Sequence, residues 1–247
     1  MVKPAHSSAL TKKLTAFIAL SNDELGLIAE LESKSFAVER GNEITEEGQS
    51  GHKAYVLQQG WAQTYKVMPD GGRQIINFPV PSDCVGLRSV LLWTSDHSFS
   101  ALTDAVVCAV PGPRMLQLFN EYPRLGAAFL WSASRDEAMV VEHLVNIGRR
   151  NALERTAHFF MELAERLMLV GLATETEFKC PLNQYVIADA LGLSAIHVNR
   201  VLRELRELKL LTVKTGKVII HDLSGLRTLA GYRSVNGSNG TSGLKRS

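Results

Sequence analysis

Residues 183–221, NQYVIADALGLSAIHVNRVLRELRELKLLTVKTGKVIIH, hold the pattern that most restricts the fold. Asn183 is placed to cap a helix whose apolar positions are Val186, Ile187, Ala190 and Leu191. Gly192 then permits a tight turn that a residue with a Cβ would resist. Ser194 is placed to cap a second helix, in which Val198, Val201, Leu202, Leu205 and Leu208 form one apolar stripe. Two helices joined by a Gly-containing turn, followed by a strand pair turning at Gly216, predict a winged helix–turn–helix.

The other face of the second helix carries the chemistry. Between Ile196 and Lys217 stand six basic residues, Arg200, Arg203, Arg206, Lys209, Lys214 and Lys217, against two Glu. Ser194, His197, Asn199 and Arg200 lie in the first two turns, the part of a recognition helix that meets base edges. Arg bonds guanine and Asn bonds adenine in bidentate fashion. Arg203 lies further along, and Lys214 and Lys217 flank the hairpin tip, suited to phosphate. A solvated face is the competing reading, because Arg200–Glu204 and Arg203–Glu207 have the spacing of helical ion pairs.

The rest of the chain changes periodicity. Residues 8–34 read as two short helices broken near Ser21–Asp23, and residues 35 to about 110 as short strands, with Asp70-Gly71-Gly72 as a hairpin. Close-spaced strands predict a small barrel or roll. A short helix over 114–121 precedes a long one over 124–147, ended at Gly148. The seam of the long helix is Leu130, Ala133, Ala138, Val141, Leu144 and Ile147, which either meets a second copy or packs on its own roll. Another amphipathic helix spans 151–171, and residues 171–178 read as a connector. The fold class is therefore α+β: an N-terminal antiparallel, jelly-roll-like β-roll, a long dimerisation helix and a C-terminal winged helix–turn–helix. The expected divisions are 1–34 helical, 35–113 roll, 114–148 short and long helices, 149–232 DNA-binding domain and 233–247 disordered tail.

At 247 residues and 45 % apolar content the chain can build two cores. Residues 1–150 carry 14 Lys/Arg against 16 Asp/Glu, whereas residues 151–247 carry 13 against 9. The basic balance falls in the predicted DNA-binding part. No uncharged apolar run reaches the ~18 residues of a membrane span and the N-terminus has no secretory pattern, so a cytoplasmic protein without membrane partners is expected. Cys84, Cys108 and Cys180 have no metal-ligand spacing, so neither a metal nor a cofactor is expected. No nucleophile elbow, phosphate loop, zinc-protease motif or paired carboxylates mark catalytic residues, and an enzyme is not expected.

Residues 183–222 resemble the winged helix–turn–helix of the CRP/FNR family of bacterial transcription regulators. GNEITEEG, YVLQQGWAQTYKVMPDGGRQIINF and PSDCVGLRSVLL resemble that family's cyclic-nucleotide-binding-type roll. The likeness covers about residues 10–230. It implies a homodimer on double-stranded DNA with a near-palindromic operator, RNA polymerase as a partner if the protein activates, and an effector pocket at Gly86, Leu87, Arg88, Ser89, Phe99 and Ser100. Two departures qualify it. Members that bind cyclic AMP have a Glu for the ribose and an Arg for the phosphate; Leu87 and Phe99 stand there, so binding in the usual mode is not expected. Arg88, on an extended segment, would face the wrong way to compensate. In the recognition helix, Ala195 and Ile196 replace the Arg and Glu common before the shared Arg200, leaving the effector and the operator sequence undetermined. Ala195 or Ile196 would instead touch a thymine methyl. The HVNR combination resembles an alphaproteobacterial subgroup and implies a bacterial source. A sensor or adaptor acting through protein partners is the alternative function.

Overall fold

A computed structural model describes residues 8–50 and 53–233, so the expected disordered tail beyond Arg233 lies outside the described residues. The described residues pack as two compact units, one of 8–65 and 78–135 and one of 66–77 and 136–233. Among them no helix is long and apolar enough to cross a membrane.

The first unit begins with α1 (Ala9–Thr15) and α2 (Asn22–Ser33). Ser21 caps α2: its hydroxyl accepts from the Glu24 amide while the Glu24 carboxylate accepts from the Ser21 amide, which fixes where the chain re-enters a helix. The strands are β1 (Ser35–Val38), β2 (Glu43–Thr45), β3 (Lys53–Gln59), β4 (Ala62–Val67), β5 (Arg73–Asn77), β6 (Cys84–Val85), β7 (Ser98–Ala101) and β8 (Ala105–Pro111). They form two four-stranded sheets, in the orders β1-β8-β3-β6 and β2-β7-β4-β5.

Alternation along β3 and β8 gives the first sheet two apolar faces. Ala54, Val56, Cys108 and Val110 face a core with Leu10, Leu14, Ile28, Met115, Leu118 and Phe129. Those partners come from α1, α2, α4 (Gly112–Glu121) and α5 (Pro123–Arg149). Leu57, Ala105 and Val107 join Ala62, Phe99 and Ala101 of the other sheet in a second core. Beside the first core Lys13 donates to Asp83 at 2.7 Å, and the other Asp83 oxygen accepts from the Val80 amide at 2.9 Å. Residues 87–92 are not extended but form a helix, α3 (Leu87–Leu92). Gly86, at φ +85°, turns the chain from β6 into it; a Cβ there would stand 2.9 Å from the Lys53 carbonyl.

The second unit contains residues 136–149 of α5, which runs through Gly148 to Arg149 instead of stopping at that glycine. It continues with α6 (Ala152–Leu169), β9 (Glu177–Lys179), α7 (Gln184–Leu191), α8 (Ala195–Glu207), β10 (Leu211–Lys214), β11 (Lys217–Ile220) and α9 (Leu223–Ala230). Two of these elements, β9 and α9, lie outside the predicted set. The supposed connector holds β9, which pairs with β11 and makes the wing a three-stranded sheet of order β10-β11-β9. Phe160, Leu163, Val198, Val201, Leu205, Leu211, Val218 and Leu226 are among its buried side chains. The hairpin residues 66–77 pack in the same unit: Arg73 donates twice to Asp189 of α7, at 3.1 and 2.8 Å, and Gln74 donates to the Ala190 carbonyl at 3.2 Å.

Candidate nucleic-acid interface and sensor cavity

Asn183 caps α7 by accepting from the Tyr185 and Val186 amides, and Gly192 closes it at φ +63°. Ser194 accepts from the His197 amide at 3.2 Å and starts α8. Val198, Val201 and Leu205 are buried along α8 and Leu202 is half-buried, so the stripe faces inward. Leu208, expected to extend it, is exposed; α8 ends at Glu207 and Leu211 of β10 takes up the burial.

The outward face begins at Ala195 and is led by Ile196, 83 % exposed. Asn199, Arg200 and Arg203 are exposed beside it. Arg200 Nη2 lies 2.9 Å from His197 Nε2, one turn back. The two helical ion pairs of the competing reading fare differently. Arg203 approaches Glu207 at 3.6 Å, with both side chains about two-thirds exposed, whereas Arg200 bonds His197 instead of Glu204. In the wing Lys214 is exposed, while the Lys217 ammonium bonds both oxygens of Glu177, at 3.0 and 3.1 Å. Glu177 escaped the sequence reading because its strand was read as a connector.

A polar network joins α5 and α6 in the same unit. His143 has a ring nitrogen on each of two acceptors: Nδ1 lies 3.1 Å from the Ile76 carbonyl and Nε2 lies 2.7 Å from Glu162 Oε2. Only the imidazolium donates from both nitrogens. Burial alone would lower its pKa, but the Glu162 charge and hydrogen bond and the Ile76 carbonyl raise it above the ordinary value. Burial would push the Glu162 carboxyl up, and His143 and Arg166 together hold it below its usual range. His158 goes the other way: burial, then the Arg150 charge, push it down to about 4. As a neutral ring it accepts from Asn146 Nδ2 at 3.0 Å and faces Glu142 through Nε2 at 3.3 Å. Arg155 spreads its guanidinium over three carbonyls, those of Leu191 (2.6 Å), Ile147 (3.0 Å) and Arg150 (3.1 Å). None of these residues is marked by a local sequence pattern, because their partners lie on other elements.

The first unit holds a cavity of about 130 Å³. Of the six positions that the resemblance assigned to an effector, Gly86, Ser89 and Phe99 line it. The other three point elsewhere. Leu87 packs against the helical core, Arg88 pairs with Asp96, and Ser100 is buried against Gln63. Thr45, Lys53, Tyr55, Ser95 and His97 line the cavity without having been foreseen. The Thr45 hydroxyl is buried with no hydrogen-bond partner, and no carboxylate is among the lining residues. All three cysteines are buried and none forms a disulfide among the described residues. Burial pushes the Cys108 thiol up and the Cys180 thiol up to about 12, far from thiolate chemistry. No group of His, Cys, Asp or Glu among the described residues is arranged to hold a metal ion.

Comparison with known proteins agrees with this architecture. Residues 36–122 match the family described as Cyclic nucleotide-binding domain, and residues 154–229 match the Crp-like helix-turn-helix domain. The Nitrogen fixation regulation protein FixK of Rhizobium meliloti (strain 1021) is 31 % identical over 181 residues, which is 72 % of this chain and 78 % of that protein. The Anaerobic regulatory protein of Haemophilus influenzae is 26 % identical over 212 residues, 86 % of this chain and 82 % of its own. Among solved structures, FixK2 from Bradyrhizobium japonicum superposes with a TM-score of 0.72 at 24 % identity, over 81 % of this chain and 98 % of that one. With two domain matches in the same order and a relative of that identity and coverage, the chain belongs to the CRP/FNR family of transcription regulators.

Proposed function

We propose that this protein is a homodimeric, sequence-specific DNA-binding regulator whose roll does not take cyclic AMP in the usual mode. The observation that carries the DNA reading is α8: capped at Ser194, its stripe buried, its outer face offering Ile196, His197, Asn199, Arg200 and Arg203 to solvent. Arg200 would read a guanine, Asn199 an adenine or a phosphate, and Ala195 or Ile196 a thymine methyl. Ser194, Lys214 and Lys217 would meet phosphate. In a dimer the two recognition helices would enter successive major grooves of a near-palindrome about 34 Å apart. Leu130, Val141, Leu144 and Ile147, exposed on α5, supply the apolar row for the second copy. RNA polymerase is the further partner if the protein activates, and a cytoplasmic location follows from the role.

Two features argue against cyclic AMP. The cavity, at about 130 Å³, is far below the roughly 300–1,000 Å³ typical of sites for ligands of drug size. No carboxylate lines the cavity to accept from a ribose hydroxyl, and Arg88, which the resemblance assigns to the pocket, is engaged by Asp96 and does not line it. The residues present therefore do not fit that nucleotide.

Selection from random duplex DNA with the purified protein at physiological salt tests the reading. An inverted repeat is expected, and Arg200→Ala should lose roughly tenfold to a hundredfold in affinity for it, in keeping with ~1–3 kcal/mol for one bidentate contact. Its sequence-indifferent binding should be kept. Arg200→Ala with unchanged operator affinity would remove that residue from the interface. Sequence-indifferent binding by the wild type would favour a protein-directed adaptor.

A further inference from the structure

The wing sheet carries an arrangement that stability alone does not explain. In the strand register Lys214 of β10 stands directly opposite Lys217 of β11, and Lys217 stands directly opposite Lys179 of β9. Residues paired in this way share one face of a sheet, with Cβ atoms ~4.5–5.5 Å apart. That face is the outer one, because the alternating residues Phe178, Val218 and Leu211 are buried on the other side. Three ammonium groups thus run side by side across all three strands. Like charges directly opposite one another destabilise a sheet. Among the described residues one carboxylate bonds the row: both Glu177 oxygens accept from Lys217. No ion pair engages Lys179 or Lys214 among the described residues, and both side chains are exposed.

We infer that this lysine row is a binding site for the phosphodiester backbone, with Lys179 as an additional DNA contact and Glu177 as a built-in competitor. The inference rests on the DNA-binding reading above and adds to it two residues on a strand that lies outside the helix–turn–helix and its hairpin. A polyanion is the partner that turns the repulsion into attraction: each ammonium that meets a phosphate releases condensed counterions. A carboxylate on Lys217 occupies the place that a phosphate would take, so the middle lysine is available only when Glu177 gives it up. Such a carboxylate holds down sequence-indifferent affinity while leaving the base-reading face of α8 untouched. Glu177 therefore lowers the backbone contribution on any duplex by the same factor.

The salt dependence of binding distinguishes this from a wing that touches DNA only at its tip. Wild type, Lys179→Ala, Lys214→Ala, Glu177→Gln and Arg200→Ala are compared on a non-specific duplex and on the selected operator. Lys179→Ala and Lys214→Ala should each flatten the slope of log K against log salt by about 1.8, one phosphate contact in each protomer of the dimer, weakening both duplexes by the same factor. Glu177→Gln should tighten both duplexes and steepen the slope by up to about 1.8. Thermal melting without DNA provides a second readout: Lys179→Ala should leave the melting temperature unchanged or higher, since it removes a repulsion. Binding by Lys179→Ala equal to wild type, with Lys214→Ala weakened, overturns the row and leaves the tip. A lowered melting temperature for Lys179→Ala overturns it in favour of a structural lysine. A wild type that binds no duplex overturns the DNA reading and the row together, whereas loss of specificity in Arg200→Ala with an intact slope sustains the row independently of base reading.

Discussion

His143 illustrates how one side chain ties stability to pH. Its imidazolium is held between the Ile76 carbonyl and the Glu162 carboxylate, with Arg166, which is hydrogen-bonded to Asn77, opposing it from α6. The folded-state pKa is raised above the 6.5 of a free imidazole. Its contribution to stability is therefore complete below that value and is lost as the pH rises through the folded value. His158, pushed down to about 4, is neutral when folded but titrates at its ordinary value when unfolded, so it adds an opposing slope near the lower end of that window, one that His143→Gln shares and the comparison cancels. Thermal melting between about pH 6 and about pH 9 should show wild type losing stability relative to His143→Gln, in which this titration is absent. Parallel curves for the two proteins would show that His143 is not bound as a cation. Nothing in the local sequence singles out His143 on its long amphipathic helix. Its partners lie at positions 76 and 162, and no local pattern announces such a triad.

Among the elements, the ends of helices decide the geometry of the head. Arg155, at the start of α6, bonds the Ile147 and Arg150 carbonyls at the end of α5 and the Leu191 carbonyl at the end of α7. Carbonyls at helix C-termini carry partial negative charge and lack helical partners, so one guanidinium satisfies three of them. Leu191 immediately precedes the Gly192 turn, so this bond also holds the entry to α8. Arg155→Met keeps the length of the side chain and removes the donors. It should cost roughly 1.5–3 kcal/mol, the range for hydrogen bonds to a charged group, and lower the melting temperature. Hydrogen exchange should rise at the C-terminal end of α7 and the first turn of α8; exchange confined to α9 would place its role elsewhere. At this scale most of the helices were legible from caps and apolar spacing, including the Asn183 and Ser194 starts. Short elements were not. Six-residue α3 and three-residue β9 are too short for a periodic signal, and their existence depends on a preceding glycine or on a neighbouring strand.

At the scale of the whole molecule the question is what covers α5. Leu144 is 73 % exposed and Leu130 68 %, on a helix whose other residues supply core. A second copy of the chain is the proposed cover, and Val141→Asp places a charge in that seam. Sedimentation should then report a monomer with operator affinity reduced by at least tenfold, because one recognition helix reads only half a near-palindrome. A dimeric Val141→Asp would assign the exposed row another role. The sequence by itself determined the order of parts, the inward stripe of α8 and the outward Arg200, because caps, turns and periodicity act over a few residues. Only the tertiary structure decided that Arg88 turns to Asp96, that Lys217 is engaged by Glu177, and that three lysines face one way across the wing. The physical reason is that the strength of a charge contact depends on distance in space, and residues 179, 214 and 217 become neighbours only once β9 has joined the sheet.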